Sequence, residues 1–253
     1  MKNSRLLMTK LTYLSVLLVA TLCTFCSKDF NEKKEKTLTF SVAEKIPVTE
    51  PSGLDLSFDE RGFWIVSDQN SKVYLIDSWG RVVKNFKVDG ESLEGITVIN
   101  ERTLAVVLER TREVVILDTS GKELNRVSLD LEGGLNSGLE GITYDPTEHK
   151  FYILNEKGPR LLITLDENLG ELSRDTLNFS KDVSGIYFDT SKKILWILSD
   201  ESQRIFKTDL SGNPFEEFKI KVTQPEGITL NKAGTKLYLV SDKTGSLYVF
   251  NLQ

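Results

Sequence analysis

The sequence predicts an all-β fold, a five-bladed β-propeller of four-stranded antiparallel blades, the last blade closed by an N-terminal strand. Three observations lead there. Leu93-Glu94-Gly95-Ile96-Thr97 returns as Leu139-Glu140-Gly141-Ile142-Thr143 and as Pro225-Glu226-Gly227-Ile228-Thr229, with weaker copies at Ser52-Gly53-Leu54-Asp55 and Ser184-Gly185-Ile186-Tyr187. The steps between the five glycines are 42, 46, 44 and 42 residues, the length of a propeller blade. Nine or ten residues beyond each glycine runs a nearly continuous apolar segment: Phe63–Val66, Leu104–Leu108, Phe151–Leu154, Ile194–Leu198 and Leu237–Val240. A strand covered on one face alternates, whereas one covered on both does not, so these five are middle strands pressed between neighbouring sheets.

Taken from the N-terminus, residues 1–26 read as an export leader. Lys2, Arg5 and Lys10 precede the apolar run Leu11–Leu22, which is shorter than the roughly 20 residues of a membrane-spanning helix. Both cysteines, Cys23 and Cys26, lie at its end, so the repeat region holds no disulfide, no thiolate zinc site and no cysteine nucleophile. The order of charged residues, apolar run and cysteine resembles a bacterial lipoprotein signal, with Cys26 lipidated and Cys23 as the alternative. Leu22 and Phe25 stand where such signals usually carry a small residue; an uncleaved membrane anchor or an ordinary signal peptide are the competing readings. The expected product is a membrane-anchored lipoprotein of the cell envelope, with a polar tether at 27–36 and the propeller at 37–253.

Blade two serves as the template. Its strands are expected at Glu94–Ile99, Thr103–Glu109, Glu113–Asp118 and Lys122–Leu129, each bounded by turn-forming residues. The third and fourth strands of a blade are joined by a repeated turn, Asp77 to Gly80, Asp118 to Gly121 and Asp209 to Gly212, with Asp166 to Gly170 one residue longer. There the aspartate bonds backbone N–H groups and the glycine takes positive φ, so these acids are turn formers. Blade five runs out of chain after Leu247–Leu252, and Thr37–Val42 is the unassigned segment that can supply its outer strand and remove an open edge.

The chain carries a net charge of −5, which argues against nucleic acid as a partner; a monomer is expected. In each antiparallel pair the start of the first strand and the end of the second share one end of the sheet. Glu94, Glu140 and Glu226 therefore gather at one mouth of the channel with the acids that end the second strands, Asp68, Glu109, Glu156, Asp200 and Asp242. Asp68, Asp200 and Asp242 also suit polar turns. Glutamate does not, so Glu94, Glu140 and Glu226 are the candidate ligands of a hard cation such as Ca²⁺, which takes six to eight oxygens. Arg110, Lys157 and Lys243 are the nearby residues that can neutralise some of the charge.

The repeated Leu-Glu-Gly-Ile-Thr segments, the Ser-Asp strand ends and the variant Gly185-Ile186-Tyr187-Phe188-Asp189 resemble the SdiA-regulated, YjiK-like family over about residues 37–253. The resemblance implies a five-bladed propeller related to NHL-type propellers, exported to the envelope, with a calcium site. Ligand roles carry over only to Glu94, Glu140 and Glu226, because Ser52 and Ser184 interrupt the ring in blades one and four. His149, the one histidine, falls in a turn at the other end of blade three, so Ser–His and Cys–His catalysis has little support. Trp64 and Trp196 take matching core positions, and Trp79 sits in an exposed turn. Two functions remain: a calcium-binding module for a small ligand or an envelope protein, and a calcium-dependent hydrolase of the lactonase, esterase or phytase kind with Glu140 or Glu226 as base.

Overall fold

A computed structural model describes residues 36–252, and the leader, most of the tether and Cys26 lie outside the described residues. Blade one consists of β3 (Pro51–Leu56), β4 (Gly62–Ser67), β5 (Lys72–Asp77) and β6 (Val82–Lys87). Blade two is β7 (Leu93–Asn100), β8 (Thr103–Leu108), β9 (Glu113–Asp118) and β10 (Glu123–Ser128). Blade three is β11 (Leu139–Asp145), β12 (Lys150–Asn155), β13 (Leu161–Leu165) and β14 (Glu171–Thr176). Blade four is β15 (Gly185–Asp189), β16 (Ile194–Ser199), β17 (Arg204–Thr208) and β18 (Pro214–Lys219). In blade five, β19 (Pro225–Leu230), β20 (Lys236–Ser241) and β21 (Ser246–Asn251) are joined by β2 (Thr39–Lys45), which pairs antiparallel with β21.

The closing strand is therefore real but displaced from Thr37–Val42. The chain first forms β1 (Lys36–Thr37), which lies parallel to β18 on the outside of blade four, and only then crosses to blade five. Lys36, assigned to the tether from sequence, already belongs to the sheet. The physical cause is Leu38, which packs into the apolar layer between blades four and five and so divides the segment in two. β2 is exposed along its whole length, which places its contribution in main-chain hydrogen bonds to β21 and in ring contacts such as Phe40 with Phe250 at 5.8 Å.

The core is not one cluster but five, one between each pair of neighbouring blades. β8 shows why its sequence is unbroken: Leu104, Val106 and Leu108 pack towards blade one, Ala105 and Val107 towards blade three. Alternation persists, but both faces are dry. β4 divides likewise, Phe63 and Ile65 facing blade five, Trp64 and Val66 facing blade two. Trp64 and Trp196 are buried as expected, and Trp79 is 76% exposed.

The five innermost strands touch in a closed ring, and the repeated glycines are where they touch. A Cβ on Gly53 would lie 2.4 Å from the Glu94 carbonyl oxygen, and one on Gly95 would lie 2.7 Å from that of Glu140. Backbone rests on backbone, and any side chain would hold the strands apart. This collar leaves a void of about 10 Å³ on the axis, scarcely enough for one water, and separates two wider cavities.

Candidate metal centre

Above the collar the channel opens into a cavity of about 290 Å³. Its wall includes Glu94, Glu140 and Glu226 from the first strands and Asp68, Glu156, Asp200 and Asp242 from the ends of the second strands. Glu109 stands just behind, buried, with an oxygen 3.5 Å from the Gly138 N–H. Oxygens of Glu109, Glu140 and Glu156 all lie within 4.8 Å of one another, a trio offset from the axis that shares Glu140 with the three expected ligands.

Three further acids of this cavity, Glu50, Asp182 and Glu201, are not among those the sequence singles out, and Glu201 is already paired with Lys157. Glu50 and Asp182 line the same cavity, each two residues before a serine that interrupts the glutamate ring, Ser52 and Ser184. Blades one and four thus deliver a carboxylate from the preceding loop instead of from the strand. The ring at the position before the glycine is broken, yet all five blades bring an acid to the mouth. An offset of two residues, paired with the serine, was the available signal. The serines instead brace the backbone: Ser52 Oγ accepts from the Asp68 N–H at 3.2 Å, and Ser184 Oγ donates to the Pro225 carbonyl at 3.0 Å. Asp182 is held by the Ser199 hydroxyl and the Glu201 N–H.

Charge compensation is partial. Lys157 lies 2.6 Å from Glu156 and 2.9 Å from Glu201, and it is the one basic group lining the cavity among the described residues. Arg110 turns away to Glu91 at 3.4 Å. Lys243 forms no ion pair among the described residues, although its charge lowers the Asp242 pKa against the stronger effect of burial. Burial, then the charges of Glu94, Glu226, Glu156 and Glu109, push the Glu140 carboxyl well above its ordinary value. Glu94 moves the same way through burial and the charges of Asp68, Glu109 and Glu226. Glu226 is pushed up to about 8 by burial and then by Asp200, Asp242 and Asp182. Glu109, Glu156, Asp200 and Asp242 are raised as well, burial being the first cause in each.

The turn reading divides the second-strand acids. Asp200 accepts from Gln203 at 3.0 Å within its own turn, whereas no hydrogen bond reaches the side-chain oxygens of Asp68 or Asp242 among the described residues. The outer-turn aspartates behave as expected: Asp118 accepts from the N–H groups of Ser120 and Lys122, and Asp77 from those of Trp79 and Arg81. His149 has φ 54° in its turn and is bonded to the Tyr144 hydroxyl at 2.9 Å, at the opposite end from the acids. Among the described residues the potential ligands lining the mouth are mainly carboxylates, joined by the Ser52 and Ser184 hydroxyls and the Gln224 side chain and by neither thiolate nor imidazole, which fits a hard cation and not a soft one.

Comparison with known proteins gives one family. The model of the SdiA-regulated family matches residues 34–251. Among solved structures, the glutaminyl cyclase of Myxococcus xanthus is similar at TM-score 0.66 with 11% identity, over 86% of this chain and 99% of that one. A chain of a nidogen/laminin complex matches at TM-score 0.61 with 17% identity, over 81% and 77% of the two chains. The Cps50 (Swd1) β-propeller domain of Myceliophteria thermophila gives TM-score 0.51 with 14% identity over 79% of this chain, which spans only 65% of that domain. At such identities the likeness is one of fold.

Proposed function

The chain belongs to the SdiA-regulated family, and on that footing we propose that it is an envelope-tethered, calcium-binding β-propeller whose acidic mouth holds a small ligand or a partner protein. The observation that carries the cation is Glu140. It projects into the cavity among four other glutamates, its charge opposed by each of them, and no hydrogen bond reaches its carboxylate among the described residues. Like charges gathered this closely stay ionised only beside a positive charge. Glu94, Glu140 and Glu226 would hold the ion, and a ring of loops supplies the remaining oxygens that calcium's flexible coordination requires.

Binding is favoured over catalysis because the groups that would stabilise an oxyanion are already engaged. Lys157 is held between two glutamates, and the Ser52 and Ser184 hydroxyls bond the main chain. Neighbours of this fold include both a cyclase and a chain from a complex of two proteins, so the fold does not choose. One feature favours the hydrolase as second reading: Glu109 stands beside Glu140 with no ion pair among the described residues, a carboxylate that an ion held by Glu94, Glu140 and Glu226 would leave to activate water. Chelator-sensitive turnover in a panel of lactones, esters and phosphomonoesters would put that reading first.

Calorimetric titration of the chelator-treated protein with CaCl₂ tests the ion. Saturable heat is expected, with a gain in stability of about 2.7 kcal/mol at a hundredfold excess over Kd. Glu140→Gln should blunt both, and Asp118→Asn in an outer turn should change neither. No heat and no thermal shift would overturn the proposal. The tether is tested separately. Cys26→Ser should release the protein from the membrane fraction and abolish lipid labelling, and membrane retention of the Cys23, Cys26 double variant would point to an uncleaved anchor.

A further inference from the structure

The other end of the channel is a pocket of different chemistry. Two residues beyond each repeat glycine stand Asp55, Thr97, Thr143, Tyr187 and Thr229, the inner ring of that end. Below it lies a cavity of about 180 Å³ to which all five blades contribute. Its walls are largely apolar and aromatic, with Phe58, Tyr144, Pro146, Tyr187 and Leu230, and Asp55 forms its floor.

Asp55 is saturated with donors. One carboxylate oxygen accepts from the Leu56 N–H and the Thr229 hydroxyl, both at 2.8 Å. The other accepts from the Val98 N–H at 2.9 Å and the Thr97 hydroxyl at 3.2 Å. Four donors on four lone pairs suit the charged form, while burial works against it and raises its pKa. No opposite charge meets it: among the described residues Asp55 has no ion pair. The neighbouring acids do have partners, Asp189 with Lys192 at 3.2 Å and Glu60 with Lys232 at 3.9 Å. Lys232 is tied down at the rim, donating to the Phe58 carbonyl at 2.6 Å with its ammonium 4.8 Å from the Phe58 ring centroid. That ring, 46% exposed, thus already carries a cation against it.

A negative charge without a counter-ion beneath aromatic walls selects its occupant. A calcium-like ion needs oxygen lone pairs that Asp55 no longer has. An organic ammonium needs none: it is weakly hydrated, its methyl groups pack on the rings, and its charge is met by ring faces and by the field of the carboxylate. We propose that this second mouth binds a small organic ammonium of the trimethylammonium type, independently of the acidic mouth, with Tyr144 and Tyr187 as walls and Asp55 as the half-buried counter-charge. The collar between the two cavities isolates one site from the other.

The test is calorimetric titration of the purified chain with choline chloride and with its uncharged isostere 3,3-dimethyl-1-butanol. Choline should bind saturably and about tenfold more tightly than the isostere. Tyr187→Leu and Tyr144→Leu should each weaken choline by several-fold, whereas Glu140→Gln and added chelator should leave it unchanged. Asp55→Asn should abolish the preference for the cation. If that variant does not fold by circular dichroism, the two wall variants decide. Free solute and lipid headgroup share this chemistry, and co-sedimentation with phosphatidylcholine vesicles distinguishes a headgroup from free choline as the source. No saturable choline heat, equal binding of the isostere, or loss of choline binding on Glu140→Gln would overturn the proposal.

Discussion

Replacing Gly95 by alanine tests the collar that joins the fold to the mouth. The added Cβ would lie 2.7 Å from the Glu140 carbonyl oxygen, 2.9 Å from Val107 Cγ2 and 3.0 Å from the Ile142 amide nitrogen. Two of these are main chain, so relief requires the first strand of blade three to move away from that of blade two. Gly95 is not in the left-handed region, so the effect is steric. Overpacking of this kind costs about 1–3 kcal/mol. Alanine recovers roughly 0.4–1 kcal/mol by restricting the unfolded chain. Because two of the contacts are with main chain, the upper half of that range applies, and the net loss is about 1–2.6 kcal/mol, or roughly 2–10 °C in Tm for a domain of this size. Differential scanning calorimetry with Gly134→Ala as control measures it, since a Cβ on Gly134 meets only Ser137 Oγ at 3.6 Å. The strand that must yield carries Glu140, so the calcium response should weaken together with Tm. A Gly95→Ala protein melting within about 1 °C of the parent would refute the close-approach argument.

Other outcomes follow from the same geometry. Glu226, at about 8, keeps its proton in the folded state over a range where the unfolded carboxyl, with an ordinary value of 4.5, has lost it. The cation-free protein therefore has this contribution in full below pH 4.5 and loses it as pH rises through 8. Urea titrations in chelator at intervals between these limits should show falling stability, flattened in Glu226→Gln, and a flat parent profile would contradict the electrostatics of the mouth. Calcium bound as proposed would displace the retained protons, so its affinity should rise over the same range, and equal binding heats in buffers of different ionisation enthalpy would count against this. Deleting residues 1–45 removes β1 and β2 and bares the edge of β21. It should cost about 3 kcal/mol or more in lost main-chain hydrogen bonds and promote self-association on size-exclusion chromatography. A monomer of unchanged stability would show that closure is dispensable.

Much of the fold is local arithmetic. A glycine step of 42 to 46 residues, apolar runs with both faces dry and a repeated Asp-to-Gly turn give the number of blades, their order and their middle strands. Each of these is a property of one blade, repeated, and periodicity makes it legible. The acids at the mouth were legible for the same reason wherever they kept register. Glu50 and Asp182 escaped because they are out of register by two residues, and only the shared cavity reveals that their carboxylates replace the missing glutamates. The grouping of Glu109 with Glu140 and Glu156 is likewise a contact between the second strands of two blades and the first strand of one.

What tertiary structure alone decided is how the ends and the axis are built. The sequence marked 37–42 as a closing strand, but the division at Leu38 depends on an apolar layer between blades four and five that exists only once the ring has closed. The repeated glycine is conspicuous in the sequence, yet its cause is a neighbour some 42 to 46 residues away whose carbonyl occupies the space of a side chain. The aspartate of the opposite mouth shows the limit most clearly. Asp55 stands in the weakest copy of the repeat, and its partners Thr97, Val98 and Thr229 come from two other blades. Sequence determines what each blade is; the closed ring decides which charges meet across the axis and which are left without a counter-ion.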